Sequence, residues 1–126
     1  MIALDASALL ALLFSEPGHE QVEAIYAESC ISAVNLSEVV GRFVRDGHDP
    51  QGVFDNLVES GLEIVPFLGE DAALAAGLLA GTRAAGLSLG ERACIALAMA
   101  RGIPALTADR AWSGLALPVS VRVIRG

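Results

Sequence analysis

Four acidic residues stand where a short apolar, strand-like run gives way to a helix-like stretch. They are Asp5, Glu38, Glu91 and Asp109. In a parallel α/β sheet such junctions lie along one edge, so residues distant in sequence can share space there. Crowded carboxylates repel one another and need a cation to stay ionised together. Because hard oxygen ligands favour Mg²⁺ or Mn²⁺ over softer metals, the pattern predicts a divalent-metal site with these acids as ligands.

Each of the four acids also has a structural alternative. Asn35-x-x-Glu38 and Ser88-x-x-Glu91 fit the capping-box pattern, in which an acid satisfies backbone N–H groups at a helix start. The two aspartates could act as helix N-caps. Capping explains an acid at any helix start, whereas a metal site requires helix starts that follow strands. We predict that all four acids meet the stricter condition.

The charge balance excludes several kinds of chemistry. The chain has 126 residues, with 15 acidic residues against 8 basic ones and a net charge of −7, and every basic residue is Arg. Without Lys there is no Walker-type phosphate loop and no Schiff-base nucleophile. A net-negative surface also repels a polyphosphate backbone, so any nucleic-acid binding is expected to be local or metal-assisted.

The apolar periodicity alternates between short runs and longer helical stretches. Strands are predicted near residues 2–4, 30–33, 63–66, 104–107 and 121–124. Helices are predicted near 6–14, 18–28, 35–46, 51–60, 70–84 and 89–101. This alternation predicts one three-layer α/β/α domain over residues 1–126, with a central, mostly parallel sheet of about five strands.

Nothing in the sequence indicates a membrane or an oxidising compartment. No apolar run approaches the ~18 residues needed to cross a bilayer, and residues 1–14 lack the basic start of a signal peptide. Cys30 and Cys94 show neither CxxC nor Cys/His spacing, which fits reduced core thiols. A cytoplasmic protein is expected.

Three further residues near the acids have open interpretations. Arg92 and Arg110 each follow a candidate ligand directly, where they could contact RNA phosphate or pair with neighbouring carboxylates. Trp112 could stack on a base or pack in the core.

Four segments resemble the PIN-domain family, and most of all the VapC toxins of bacterial toxin–antitoxin modules. The segments are IALDASALL at 2–10, ISAVNLSEV at 31–39, GLSLGERACIALA at 86–98 and LTADRAW at 106–112. They occur in the family's order through nearly the whole chain.

This resemblance implies a PIN-like fold and a Mg²⁺-dependent endoribonuclease, with Mn²⁺ as an alternative ion. It also implies a homodimer that cleaves RNA and is inhibited by a cognate VapB-like antitoxin. The family's acids and supporting polar residues fall on these positions: the acids on Asp5, Glu38, Glu91 and Asp109, and the supporting residues on Ser7, Asn35 and Thr107.

Glu91 departs from the family, whose third acid is typically Asp in a Leu-Gly-Asp-Arg-Ala sequence. The extra methylene moves the carboxylate about 1.5 Å further from the backbone. Mg²⁺ demands near-ideal octahedral geometry, so the change matters at a metal site. Two functional interpretations follow: an active nuclease that accommodates Glu91, or a catalytically weak PIN-like protein that acts mainly by partner binding.

Overall fold

A fully parallel five-stranded sheet forms the centre of the protein. The computed structural model describes residues 1–82 and 85–124. The strands are β1 (Ile2–Leu4), β2 (Ser29–Ser32), β3 (Glu63–Val65), β4 (Ala105–Thr107) and β5 (Val121–Val123). Their order is β3-β2-β1-β4-β5, and every neighbouring pair is parallel. The predicted fold class is confirmed, and its strand boundaries hold to within one or two residues.

Helices connect the strands. They are α1 (Ala6–Leu13), α2 (His19–Ile25), α3 (Ala33–Arg45), α4 (Pro50–Glu59), α5 (Gly69–Gly77), α6 (Leu79–Thr82) and α7 (Leu89–Arg101), with 3₁₀ turns at Tyr26–Glu28 and Arg110–Gly114. The predicted helix 18–28 ends in the first of these turns. The predicted helix 70–84 divides at Leu78, and its positions 83–84 lie outside the described residues. Among the described helices, none has the length and apolarity to cross a bilayer.

The alternation of side chains along the strands divides the core into two clusters. Ile2 and Leu4 point into one cluster with α1 to α4, whereas Ala3 points into the other with α7. Helix α7 is buried along most of its length, from Ala93 to Ala98. The sheet therefore separates two apolar layers, as the three-layer prediction requires.

The strand order places a crevice at the carboxyl ends of β1 and β4. From β1 the chain continues to β2 and β3 on one side of the sheet, then crosses to β4 and β5 on the other. Ligands of open α/β sheets bind where the strand order reverses in this way. Residues just after β1 and β4 consequently lie beside the expected binding position.

Gly18, directly before α2, packs against the end of β5. Its φ is 91°, and an added Cβ would collide with the backbone carbonyl of Ile124. The same carbonyl accepts a hydrogen bond from Gln21 Nε2 at 3.2 Å. Only glycine satisfies both the dihedral angle and the close approach.

We expect Gly18→Ala to lower the free energy of unfolding by roughly 1–3 kcal/mol from the left-handed backbone alone, with a further loss from the collision. Gly47→Ala is the matched control, because Gly47 has φ 93° and no atom within 4 Å of the added Cβ. Urea denaturation of both variants measures the difference. Equal losses would show that the contact with Ile124 contributes nothing.

Candidate active site

Asp5 is a buried carboxylate at the end of the central strand. It is 5% exposed, and its backbone N–H donates to the Leu106 carbonyl at 2.9 Å. Its Oδ2 accepts hydrogen bonds from Ser7 Oγ at 2.6 Å and from Thr107 Oγ1 at 3.0 Å. The two hydroxyls are themselves 3.2 Å apart. Three residues expected at the site thus form one hydrogen-bonded group across β1, α1 and β4.

The same hydroxyls bind the segment that carries Asp109. Ser7 Oγ accepts from the Ala108 N–H at 3.0 Å, and Thr107 Oγ1 accepts from the Asp109 N–H at 3.1 Å. The Asp109 side chain is exposed, and its Oδ1 accepts from the Ala111 N–H at 2.9 Å. Asp109 therefore lies next to the Asp5 group, and its carboxylate caps the 3₁₀ turn that follows.

Glu38 lies against the N-terminal turn of α7. Asn35, which is fully buried, donates from Nδ2 to the Gly90 carbonyl at 2.8 Å and to Glu38 Oε1 at 3.2 Å. A Cβ on Gly90 would occupy the space of the Glu38 carboxylate. The absence of a side chain at position 90 therefore admits the second acid to the site.

The capping-box interpretation of Asn35 and Glu38 is wrong. Helix α3 begins at Ala33, and its N-cap is Ser32, whose side chain accepts from the Val34 N–H at 3.2 Å. Glu38 consequently lies in the second turn of the helix, beyond the unpaired backbone N–H groups.

The capping-box interpretation of Ser88 and Glu91 is confirmed. Glu91 Oε1 accepts from the Ser88 N–H at 2.9 Å, and the Glu91 N–H donates to Ser88 Oγ at 3.2 Å. The other oxygen, Oε2, accepts from Trp112 Nε1 at 3.0 Å. The expectation that Glu91 follows a strand is wrong, because the segment before α7 at 87–88 is a loop. Tertiary packing of α7, and not a preceding strand, brings this acid to the sheet edge.

Three of the four acids share one electrostatic environment. Burial raises the pKa of Asp5, hydrogen bonds from Ser7 and Thr107 oppose that rise, and the charge of Glu91 adds to it. The pKa of Glu38 is raised mainly by desolvation of its carboxylate, against the Asn35 hydrogen bond, and further by the charges of Asp5 and Glu91. Glu38 is exposed as a whole residue, so this desolvation reflects the local contact of its carboxylate with Gly90.

The donor set fits a hard divalent cation, although the acids are not gathered around one point. Within residues 1–82 and 85–124, no three His, Cys, Asp or Glu side chains form a group that could hold a metal ion. Asp5 and Glu38 nevertheless repel each other in a desolvated pocket, a situation that a cation relieves. The buried Asn35 Oδ1 also has no hydrogen-bond partner in the described part of the chain. Oxygen donors of this kind are those that Mg²⁺ and Mn²⁺ prefer.

The two arginines differ in their availability to a ligand. Arg92 donates from Nη1 to the Ala75 carbonyl at 3.0 Å and from Nε to the Leu87 carbonyl at 3.4 Å, so it joins α7 to α5. Neither bond is to a carboxylate. Arg110 lies exposed in the 3₁₀ turn after Asp109.

The bond from Trp112 to Glu91 and the contact between Gly90 and Glu38 are the parts of this site that sequence reasoning missed. Trp112 is 1% exposed, so the core-packing interpretation is correct and base stacking is excluded in this conformation. Its bond to Glu91 spans 21 positions, and no local pattern indicates it. Gly90 stands beside Glu91 in the motif, but its contact with Glu38 also depends on how two helices pack.

Comparisons with known proteins agree with this parallel α/β architecture. The PIN domain family matches residues 2–117. The chain therefore belongs to the PIN-domain family.

Solved structures with the same fold come from toxin–antitoxin systems. FitAcB from Neisseria gonorrhoeae is 20% identical, with 98% of each chain covered and a TM-score of 0.76. A toxin–antitoxin complex from Klebsiella pneumoniae is 19% identical, with 98% of each chain covered and a TM-score of 0.77. VapC20 from Mycobacterium tuberculosis, a Sarcin-Ricin loop cleaving toxin, is 17% identical over 93% of this chain and 96% of its own, with a TM-score of 0.73. No curated protein matches the chain in sequence. At these identities the likeness shows a shared fold.

We expect Asp5→Asn to be more stable than the wild type at about pH 7 in protein freed of divalent metal. Because burial raises the pKa of Asp5 above 3.8, its ionised form costs folding free energy above the folded-state pKa. As the pH falls through that pKa towards 3.8, the wild type takes up the proton and the stability gap should close.

Urea unfolding in EDTA across this pH range measures the gap. Asp55→Asn, at an exposed position in α4, is the control and should show no such closure. A gap that is constant or widens on acidification would contradict the assigned burial penalty.

Proposed function

We propose that this protein is the toxin component of a type II toxin–antitoxin module, a metal-dependent endoribonuclease that hydrolyses RNA phosphodiester bonds. Membership of the PIN-domain family and the fold shared with VapC and FitAB structures support this proposal. The observation that carries it is the geometry at the carboxyl edge of the sheet. Ser7 and Thr107 hold both the buried Asp5 carboxylate and the segment of Asp109. The absence of a side chain at Gly90 admits the Glu38 carboxylate.

In the proposed mechanism, Asp5 and Glu38 would hold the ion, and Glu91 and Asp109 would complete the acidic set. A Mg²⁺ or Mn²⁺ ion held there would supply activation of a water for in-line attack and stabilisation of charge on the phosphate. Ser7 and Thr107 keep Asp5 ionised and in place, because both hydroxyls donate to its Oδ2. Asn35 performs the same task for Glu38. Since these supports are fixed in the fold, little side-chain ordering is left for the reaction.

RNA binding by a chain of net charge −7 requires local attraction. A cation in the acidic pocket reverses the local charge and lets phosphate approach. Arg110 is exposed beside Asp109 and is the better candidate for a phosphate contact. Arg92 is already bound to two backbone carbonyls and serves to hold α7 in position.

The proposed partners are a cognate VapB-like antitoxin and a second copy of the chain. VapBC2 from Rickettsia felis, bound to a DNA fragment from its promoter, has this fold with a TM-score of 0.74 at 16% identity. By analogy the antitoxin would keep the nuclease inactive until it is removed. We place the protein in the cytoplasm, where its RNA substrate is found.

A second candidate function is partner binding with weak catalysis. One observation favours it: both carboxylate oxygens of Glu91 are engaged by protein donors, Ser88 N–H and Trp112 Nε1. These two bonds orient the carboxylate toward its protein donors, and metal binding by Glu91 would compete with them.

We expect antitoxin-free protein to cleave RNA with Mg²⁺ or Mn²⁺, and EDTA to stop the reaction. Asp5→Asn should reduce the cleavage rate by roughly 100-fold or more, because it removes a metal-binding charge worth several kcal/mol in the transition state. Asp55→Asn is the matched control and should keep wild-type activity. Gel analysis of an RNA panel, with DNA of the same sequences alongside, provides the measurement. If the wild type and Asp5→Asn leave every RNA equally intact, the enzymatic proposal fails.

Glu91→Asp discriminates between the two candidate functions. Under the first, the wild type cleaves efficiently, and the cleavage rate of Glu91→Asp should differ from it by less than about tenfold, since both residues supply one carboxylate. Under the second, shortening the side chain should raise the cleavage rate by more than tenfold from a low baseline. Single-turnover rates for both proteins at saturating Mg²⁺ make this comparison.

A further inference from the structure

The indole of Trp112 links the third acid to the segment of the fourth. Trp112 is the only tryptophan of the chain and is 1% exposed. Its Nε1–H donates to Glu91 Oε2 at 3.0 Å. It lies in the 3₁₀ turn that Asp109 caps, three positions after that acid. A side chain outside the four acids therefore determines where one of them points.

The position of this indole is set by packing and not by Glu91. The ring belongs to the core cluster formed with Cys94, Ile95 and Leu97 of α7. A buried indole N–H requires an acceptor, and Glu91 provides it. The ring can therefore hold the carboxylate in a place that the core determines.

Both carboxylate oxygens of Glu91 are held by donors other than the residues that hold Asp5 and Glu38. One oxygen is bound by the Ser88 N–H and the other by Trp112. The charge of Glu91 still raises the pKa values of Asp5 and Glu38, so the three carboxylates repel one another. Without a cation this repulsion favours the position in which Trp112 holds Glu91. A bound cation would attract all three carboxylates and so favour their approach.

The length of Glu91 matters for the contact. An aspartate would end about 1.5 Å closer to the helix backbone. A 3.0 Å bond to the indole would then exceed hydrogen-bonding distance unless α7 moved. The departure from the family's Asp and the bond to Trp112 thus belong together.

We propose that Trp112 is a positioning residue that holds Glu91 away from the pocket in the metal-free protein, and that binding of a divalent cation releases Glu91 from the indole. The inference rests on the proposed metal-dependent function and deepens it. Trp112 sets the cation concentration at which the third acid joins the site. Removing its N–H should therefore tighten cation binding.

The single tryptophan allows a direct test by ¹⁵N NMR of the full chain, since only one indole N–H cross-peak is expected. Titration of EDTA-treated wild type with MgCl₂ should move this peak together with backbone amides next to Asp5. Both responses should disappear in Asp5→Asn. In Glu91→Gln the metal-free indole peak should start at a different position and should not follow Mg²⁺.

Trp112→Phe keeps an aromatic ring in the core and removes the donor. We expect its Mg²⁺ dissociation constant, read from the backbone amides, to fall about tenfold, which corresponds to about 1.4 kcal/mol. In a Glu91→Gln background the same substitution should leave the constant unchanged, as a double-mutant cycle requires for an effect transmitted through Glu91. Tyr26→Phe is the control. Like Trp112→Phe, it keeps an aromatic ring and removes one hydrogen-bonding group, here the hydroxyl that bonds with Ser60, and it should leave Mg²⁺ binding unchanged.

The results separate failure of this inference from failure of the proposed function. If amides near Asp5 respond to Mg²⁺ but the indole peak does not, the inference is overturned while the metal site stands. An unchanged or weaker Mg²⁺ affinity of Trp112→Phe overturns it as well. If no amide responds to Mg²⁺, the metal site itself fails, and the inference fails with it. The wild-type indole titration decides the question even if Trp112→Phe does not fold.

Discussion

The buried carboxylate of Asp5 is the constraint on which the site depends. A charge at 5% exposure is costly to keep ionised, and two hydroxyls that donate to the same oxygen only partly offset that cost. The hydroxyls come from α1 and from β4, so the arrangement exists only when β1 and β4 pair in the observed register. The hydrogen-bonded group around Asp5 consequently requires the central strands to be paired.

Helix capping and the proposed metal binding draw on the same acids. Asp109 and Glu91 accept hydrogen bonds from backbone N–H groups at helical N-termini. Asp5 and Glu38 accept hydrogen bonds from side-chain donors. Helix N-termini carry partial positive charge and stabilise carboxylates. Such ends can therefore collect several acids in one place at a tolerable cost in free energy. At Glu91 the two uses would compete, because each of its carboxylate oxygens accepts a hydrogen bond from the protein.

Small structural details at α7 govern how the acids approach one another. Gly90 leaves room for the Glu38 carboxylate, and its carbonyl fixes Asn35, which in turn holds Glu38. The next residue along, Glu91, is held by Trp112 from the opposite side. A single helix turn thus orients two acids from different parts of the chain. In the PIN-domain family this turn carries the Leu-Gly-Asp-Arg-Ala pattern, and the longer Glu91 changes its contacts more than its charge.

The amino-acid pattern was sufficient for the fold class and for the group around Asp5. Strands and helices alternate visibly because apolar residues recur with periods of two and of 3.6, and these periods are local properties of the chain. The position of Asp5 follows from the same logic, since it directly follows the end of β1, whereas Ser7 and Thr107 were expected from the resemblance to the PIN-domain family. The division of the 70–84 helix at Leu78 was not foreseen, because Ala-rich sequence favours helix throughout.

The contacts of Glu38 and Glu91 depended on packing between helices that are far apart in sequence. Asn35 meets Gly90 across 55 positions, and Glu91 meets Trp112 across 21. The capping-box pattern occurs in both the Asn35–Glu38 and the Ser88–Glu91 segments. Helix α3 nevertheless begins two residues before Asn35, whereas α7 begins directly after Ser88. Residue type and spacing therefore located Asp5 and Asp109 just after strand ends, while the convergence of all four acids on one metal remains a prediction. The direction in which each carboxylate points was set by side chains from other elements, because hydrogen bonds of this length require three-dimensional proximity that no sequence interval encodes.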